Sequence, residues 1–334
     1  MILAGDIGGT KTTLAVFTEV DQRLEVVKKE RFASQDHESL DTIVGAFMAG
    51  WQRKVELACF GIAGPVKDGR SRITNLPWVV DARVLADNLG VPTVELINDI
   101  EANAYGISVL GPNDFAVLNE GNRAAEGNAA IIAAGTGLGE AGLYWDGRHH
   151  HPFACEGGHT DFGPRNETEV NLLRFLQSRF ERVSYERILS GPGLLSIYQF
   201  LRDTGEEEPT WLTREISLGD PAATISAAAL SQKSELCIRA LDLFVSLYGA
   251  EAGNLALKVM ASGGFFVGGG IGPKILEKLG DGTFMEAFLA KGRMRPLLEA
   301  MPVRVVLNEQ TALLGAAHCA RLRAAGEYLN LRRF

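Results

Sequence analysis

Apolar residues Ile2, Leu3, Ala4 and Ile7 lead into the polar turn Gly8-Gly9-Thr10-Lys11, and Leu14, Ala15, Val16 and Phe17 lead out of it. An apolar run, a tight glycine turn and a second apolar run predict strand, turn, strand. Alternation over 23–32, with Leu24, Val26 and Phe32 as the apolar set, predicts a third strand. Leu40, Ile43, Val44 and Phe47 recur at helical spacing, which predicts a helix over 37–52. The apolar run 55–63 reads as a buried strand entering the loop Gly61-Ile62-Ala63-Gly64-Pro65, with a hairpin turn at Lys67-Asp68-Gly69-Arg70 and an irregular connection over 73–78. Asp81 is placed to cap a helix that ends at Gly90. A strand over 91–97 then carries Asn98-Asp99 at its carboxyl end, before a helix over 101–109.

A second module starts near Gly111, with a strand at 115–118 and a polar loop from Gly121 to Gly127. Ala130-Ile131-Ile132-Ala133-Ala134, Gly135-Thr136-Gly137-Leu138-Gly139 and Ala141 to Trp145 repeat the opening pattern of strand, Gly/Thr turn and strand. Asn166 with Glu169 has the spacing of a helix cap, for a helix reaching about Phe180. A short helix begins at Glu186, a helical pattern covers 194–201, and 204–209 reads as an acidic surface loop. Residues 222–258 read as helical, broken around Gly249 and Gly253. A strand then enters the glycine turn Gly268-Gly269-Gly270, and Pro273 stands where a helix would begin. A last strand over 303–307 precedes a helix from Gln310 to about Ala325, expected to pack back on the first module. Strands alternating with crossover helices predict an α/β class with sheets covered on both faces. The expected domains are 1–109 plus about 310–334, and 110–309.

Composition narrows the function classes. At 334 residues, 46% hydrophobic and 22% charged, the chain can bury sizeable cores. A net charge of −8 argues against nucleic-acid binding. The four cysteines, Cys59, Cys155, Cys237 and Cys319, form no CxxC pair, so neither a disulfide framework nor a zinc knuckle is expected. With neither a signal peptide nor a membrane-length apolar run in view, a cytoplasmic protein without membrane contact is the expectation.

The chemistry-bearing residues sit at the turns. Gly8 and Gly9 let backbone N–H groups approach an anion, Thr10, Thr12 and Thr13 offer hydroxyl donors, and Asp6 could hold a metal ion or its water shell. This suits a nucleotide phosphate tail. The turn could also be no more than a hairpin, but its recurrence at Gly135–Gly139 and the third glycine turn favour function. None of the three has the Walker or dinucleotide spacing. Asp6, Gly64 and Asn98-Asp99 all fall at carboxyl ends of strands, where ligands gather in such sheets. Asp99 reads equally as a helix cap or as a general base beside Asn98. Glu156, His159, Asp161 and Glu186 could be metal ligands or solvated loop residues. Acceptors for the hydroxyls of a polyol fit them better, since the cysteine/histidine spacing of zinc is missing. His149-His150-His151 reads as surface loop.

The run of motifs Gly-Asp-Ile-Gly-Gly-Thr, Gly-Ile-Ala-Gly-Pro, Thr-Asn-Leu-Pro-Trp, Ile-Asn-Asp-Ile-Glu-Ala, Ala-Gly-Thr-Gly-Leu-Gly, Glu-Gly-Gly-His-Thr-Asp-Phe, Glu-Arg-Ile-Leu-Ser-Gly-Pro-Gly-Leu and Gly-Gly-Gly-Ile resembles the bacterial glucokinase family, in order and from about residue 2 to 320. The resemblance implies the fold of the actin-like ATPase and hexokinase superfamily, an α/β architecture with two ribonuclease H-like domains flanking a cleft. It implies ATP-dependent phosphorylation of glucose to glucose 6-phosphate, with Mg²⁺, in a homodimer whose partners are sugar and ATP. By motif, Gly5, Asp6, Ile7, Gly8, Gly9, Thr10 and Lys11 match the first phosphate loop, with Asp6 holding Mg²⁺ through water. Gly135, Thr136, Gly137 and Gly139 match the second loop, and Gly268, Gly269 and Gly270 lie near the adenosine. Asp99 matches the catalytic base; Asn98, Glu156, His159 and Glu186 match sugar ligands; Asn75 and Gly64 lie in loops near the sugar. Two departures stand out. Lys11 occupies a position where many relatives have Asn. Phe162-Gly163-Pro164-Arg165-Asn166 stands where the repressor–ORF–kinase branch carries a cysteine-rich zinc motif, which disfavours that branch. With the first strand read at residue 2, a DNA-binding N-terminus is not expected. The alternatives are a kinase for another hexose or an N-acetyl hexosamine, and a non-catalytic sugar-binding protein of the same fold.

Overall fold

The computed structural model describes residues 1–327 except Gln22, Thr74, Arg123 and Glu206. One residue of each expected loop at 73–78, 121–127 and 204–209, and the end of the stretch 310–334, therefore lie outside the described residues.

In chain order the first elements are strands β1 (Ile2–Ile7), β2 (Lys11–Val20) and β3 (Arg23–Ala33), helix α1 (Leu40–Met48), and β4 (Leu57–Ile62). Three short strands follow, β5 (Val66–Lys67), β6 (Arg70–Arg72) and β7 (Val79–Asp81), then α2 (Ala82–Leu89), β8 (Val94–Asn98) and α3 (Asp99–Ile107). Next come β9 (Phe115–Asn119), β10 (Ala129–Ala134), β11 (Leu138–Trp145) and β12 (His150–Cys155). Helices α4 (Glu167–Gln177), α5 (Gly191–Asp203), α6 (Thr210–Leu218), α7 (Pro221–Leu230) and α8 (Glu235–Val259) lead to β13 (Gly264–Gly268). The chain closes with α9 (Leu276–Leu279), α10 (Thr283–Leu289), α11 (Arg295–Glu299), β14 (Val303–Val306) and α12 (Thr311–Ala324).

Two compact units result. One holds Met1–Asp114, Arg148–Ala154 and Asn308–Phe334; the other holds Phe115–Gly147 and Cys155–Leu307. The first is built on a sheet of order β3-β2-β1-β4-β8. In it β1 pairs antiparallel with β2 and parallel with β4, and β4 pairs parallel with β8. The second unit repeats this plan, with β10 antiparallel to β11 and parallel to β13, and β13 parallel to β14. Inner strands buried on both faces explain the near-continuous apolar runs at 2–4 and 129–134.

Caps follow sequence chemistry. Asp81 accepts from Arg83 N at 2.9 Å, Gly90 ends α2 with φ 64°, and Asn166 accepts from Glu169 N at 3.0 Å. Five expectations need correction. Helix α3 starts two residues early because Asn98, not Asp99, is its cap, accepting from Ile100 N at 2.9 Å. The glycine pair does not break α8: a Cβ at Gly249 would collide with the carbonyl oxygen of Phe284, and one at Gly253 would sit 2.5 Å from that of Phe288. Those glycines let α10 lie against α8, and the break falls instead between α7 and Ser234, the cap of α8. Helix α6 was not expected after the acidic loop. His150 and His151 belong to strand β12 and are half-buried rather than loop. Finally, Thr12 is not a phosphate donor: its side chain is fully buried and its hydroxyl pairs with Ser34 Oγ at 3.0 Å.

Helix α12 closes the first unit, as the sequence suggests. Ala312, Leu313, Ala316, Ala317 and Ala320 share a core with Ile2, Ala4, Cys59, Ile97 and Ala102. The buried His318 stands on this helix, its Nδ1 3.1 Å from Arg321 Nη2. Burial first, then the positive fields of Arg321 and His149, pull its pKa down from 6.5 to about 4. Folded His318 therefore stays neutral where the unfolded chain would take up a proton, so stability falls as pH drops from 6.5 towards 4. The loss attributable to it is about 2–3 kcal/mol at pH 4.5. His318→Gln should shrink the difference between urea midpoints at pH 7 and pH 4.5 by that amount; an unchanged difference would remove His318 from the acid limb.

Among the described residues, no helix is long and apolar enough to cross a membrane. Cys59, Cys155, Cys237 and Cys319 are all free.

Candidate functional site

Register brings the first unit's candidates to one sheet edge. Ile7 pairs with Ile62, and Ile62 with Asn98, so the carboxyl ends of β1, β4 and β8 lie side by side. Asp6, Gly64 and Asn98-Asp99 gather there. Asn98 Nδ2 donates to the Gly64 carbonyl at 3.2 Å, and Ala63 N donates to Ile7 O at 2.9 Å. A Cβ on Gly64 would stand 2.7 Å from Arg72 O, so that loop needs glycine.

Ser34 braces the first glycine turn. Its Oγ donates to Gly8 O at 2.8 Å, and its N donates to Thr10 O at 3.0 Å. Gly8 N closes the turn onto Lys11 O at 3.0 Å, and Thr10 and Lys11 stand exposed. Gly5 and Ile7 serve packing as well: Ile7 is fully buried, and a Cβ on Gly5 would run into Phe60. Asp6 is half-buried beside this turn. Burial raises its pKa, while Lys11 and Arg31 hold the rise back. Asn75 has φ 66° and lies exposed in a loop closed by Ile73 N to Trp78 O at 3.2 Å. Trp78 Nε1 pins that loop to His37 O at 3.2 Å.

Asp99 opens α3. Its Oδ1 accepts from Ile100 N at 2.9 Å, and its carbonyl accepts from Asn103 Nδ2 at 2.9 Å. Gly61 and Gly106 set where α3 lies. A Cβ on Gly61 would be 2.7 Å from Ala102 Cβ, and one on Gly106 would collide with the Thr311 carbonyl. These two glycines escaped the sequence reading, since nothing local marks a glycine as a helix-crossing point.

In the second unit Glu156, His159 and Glu186 come together. His159 Nε2 is 3.8 Å from Glu156 Oε2, and His159 Nδ1 is 3.9 Å from Glu186 Oε1. Two strand-like links hold the segments in line, Phe162 N to Val183 O and Tyr185 N to Thr160 O, each 3.0 Å. Asp161 turns away into an ion pair with Arg182 at 2.7 Å. Glu186 has a second attachment: its Oε2 accepts from Leu138 N at 3.1 Å and would lie 2.5 Å from a Cβ on Gly137. One carboxylate thus touches both the acceptor cluster and the second glycine turn. An exposed cluster of two carboxylates and an imidazole is fitted to accept hydrogen bonds from a polyhydroxylated ligand.

The second and third glycine turns meet in a cavity of about 470 Å³, lined by Gly135, Thr136, Gly191, Asp220, Ser226, Gly270 and Lys274 among others. Ala133 pairs with Gly268, and Ile271 N donates to Ala134 O at 3.2 Å, which joins the two turns. Gly269 has φ 80° and no room for a side chain, with Ala134 O 2.5 Å from its Cβ position. Gly268 packs on Ile131, and Gly139 lies within β11 opposite Ala133, beyond the turn. The lining from α7, with Asp220 capping Ala222 N at 2.9 Å, went unread in the sequence because a cap and small residues look like any helix start.

Among the described residues, no three or more His, Cys, Asp or Glu side chains are grouped to hold a metal ion. Asp6 offers a single carboxylate at the first glycine turn. That suits a magnesium ion carried mainly by phosphate oxygens and water, which needs only one or two protein carboxylates.

The family model described as Glucokinase matches residues 3–323. The Glucokinase of Nostoc punctiforme is 45% identical, over 96% of this chain and 98% of its own. The crystal structure of glucokinase from an Antarctic psychrotroph superposes with a TM-score of 0.82 at 30% identity, covering 96% of this chain and 98% of that one. A ROK family glucokinase from Streptomyces griseus, solved with glucose and AMPPNP, shares the fold at a TM-score of 0.66 and 23% identity, over 96% of this chain and 99% of the other.

Proposed function

The chain belongs to the glucokinase family of sugar-phosphorylating enzymes, and from that premise we propose that it transfers the γ-phosphoryl group of ATP to the 6-hydroxyl of glucose. The observation that carries the proposal is the assembly of Glu156, His159 and Glu186 into one acceptor cluster whose Glu186 also contacts the second glycine turn. The Streptomyces relative's complex with glucose and AMPPNP supports the choice of both substrates.

Asp99 accepts the proton of the 6-hydroxyl as its oxygen attacks the γ-phosphorus in line; phosphoryl transfer asks for little covalent chemistry from the protein beyond this and positioning. Asn98, Glu156, His159 and Glu186 hold the other hydroxyls, with Gly64 and Asn75 shaping the adjoining loops. Amides of the first two glycine turns, other than Gly8 N and Gly135 N, which close the turns onto Lys11 O and Gly137 O, are assigned to the phosphates. Gly135, Thr136 and Gly270 belong to the cavity lining, and we assign the adenosine to that cavity. Asp6 would hold Mg²⁺ through water; the ion, when bound, spreads charge developing on the phosphoryl oxygens. A cytoplasmic homodimer completes the proposal, on the strength of the family resemblance alone.

Glucose, mannose, fructose and N-acetylglucosamine at equal concentration, with ATP and Mg²⁺, form the test. Glucose should have the highest kcat/KM. Stronger activity on an amino sugar would overturn the substrate assignment, and sugar binding without ATP turnover would favour a non-catalytic protein of this fold.

A further inference from the structure

The acceptor turn rests on a buried acid. Glu140, on β11, is 1% exposed, and its Oε1 finds no hydrogen-bond partner among the described residues. Its Oε2 and Cδ lie so close under Gly157 that any Cβ there would collide with them. Next along the turn, a Cβ on Gly158 would collide with the carbonyl of Leu138, also on β11. Cys155 Sγ, just before the turn, donates to Glu140 O at 3.3 Å. The whole turn Glu156-Gly157-Gly158-His159 therefore sits on Leu138–Glu140, and the glycine pair is required by that contact.

We propose that Glu140 is a positioning residue for sugar binding, its buried carboxyl fixing the turn that presents Glu156 and His159. The proposal rests on the reading of that turn as a sugar site. Its consequence is a pH-dependent affinity. Burial, then the negative field of Glu251 on α8, lift the Glu140 pKa to about 7, with Lys258 opposing. Tyr248, also on α8, and Cys155 are the other titratable groups that feel its charge. Glu251 is itself buried, 3.3 Å from Lys258 Nζ and 2.8 Å from Asn254 Nδ2. Below pH 7 a neutral Glu140 supports the turn. Above it, ionisation sets a second buried negative charge against Glu251 and under Gly157, and the turn loosens.

The test measures KM and kcat for glucose from pH 6 to 8.5 in wild type, Glu140→Gln and Glu140→Ala. The wild-type KM should rise three- to tenfold across the range at nearly constant kcat. Glu140→Gln should hold the low-pH KM throughout, and Glu140→Ala should raise KM at every pH. A sugar-free readout separates this idea from the sugar assignment: alkylation of Cys155, the other three cysteines being buried. At pH 8, with each rate divided by the thiolate fraction read from ultraviolet absorbance because loss of the Glu140 charge itself raises that fraction, Glu140→Gln should slow it and Glu140→Ala should speed it at least threefold. Those rate changes would support the positioning role even if glucose proved to be the wrong ligand. A KM flat with pH, together with the same alkylation rate in all three proteins, would overturn it.

Discussion

Asp99→Asn should lower turnover of glucose and ATP by at least 10²-fold while glucose still binds. General-base catalysis contributes about 10²–10⁴-fold, or roughly 2.7–5.5 kcal/mol of barrier. The substitution is isosteric, and the amide oxygen can still accept from Ile100 N as Oδ1 does at 2.9 Å. Asn98 remains the cap of α3, so the helix keeps its start. What disappears is the capacity to take a proton. Steady-state kcat alongside glucose affinity from calorimetry decides it: turnover within tenfold of wild type would end the assignment of Asp99 as base.

The second large effect is expected at a helix crossing. Gly315 on α12 and Gly106 on α3 mark the crossing of the two helices. A Cβ on Gly315 would collide with the carbonyl of Ala102 and lie 2.5 Å from Gly106 N. Both obstacles are backbone, so no side-chain rotation relieves them. Gly315→Ala should cost about 3 kcal/mol, the upper part of the usual range for overpacking. Relief by displacing α3 would also shift Asp99 at its first turn, and a displacement near 1 Å can cost about 10²-fold in rate. Urea unfolding and kcat measured on the same preparation should show both losses. A midpoint unchanged by Gly315→Ala would mean that the helices do not cross this closely.

Much of the fold was legible because it is written locally. The runs around Gly8 and Gly135 declared two hairpins, and their repetition matches the shared sheet plan of the two units. Caps at Asp81 and Asn166 could be read because a capping side chain acts within three residues, and Gly90 because glycine takes the left-handed φ that ends a helix. What escaped depends on distant neighbours. Gly249 and Gly253 look like helix breakers until α10 is seen lying on them. Thr12 looks like a phosphate donor until Ser34, 22 residues on, takes its hydroxyl. The acceptor trio was legible by motif, yet Glu186's bond to Leu138 N and the buried Glu140 under Gly157 depend on tertiary placement. The cavity lining from α5 and α7 carried no signal beyond ordinary helix starts.

The most direct test of the central claim is product identification by phosphorus NMR after incubation with ATP, Mg²⁺ and glucose. ADP and a single phosphate monoester on carbon 6 of glucose should form in equal amounts. ADP with inorganic phosphate and no sugar ester, or unreacted ATP beside bound glucose, would contradict the claim.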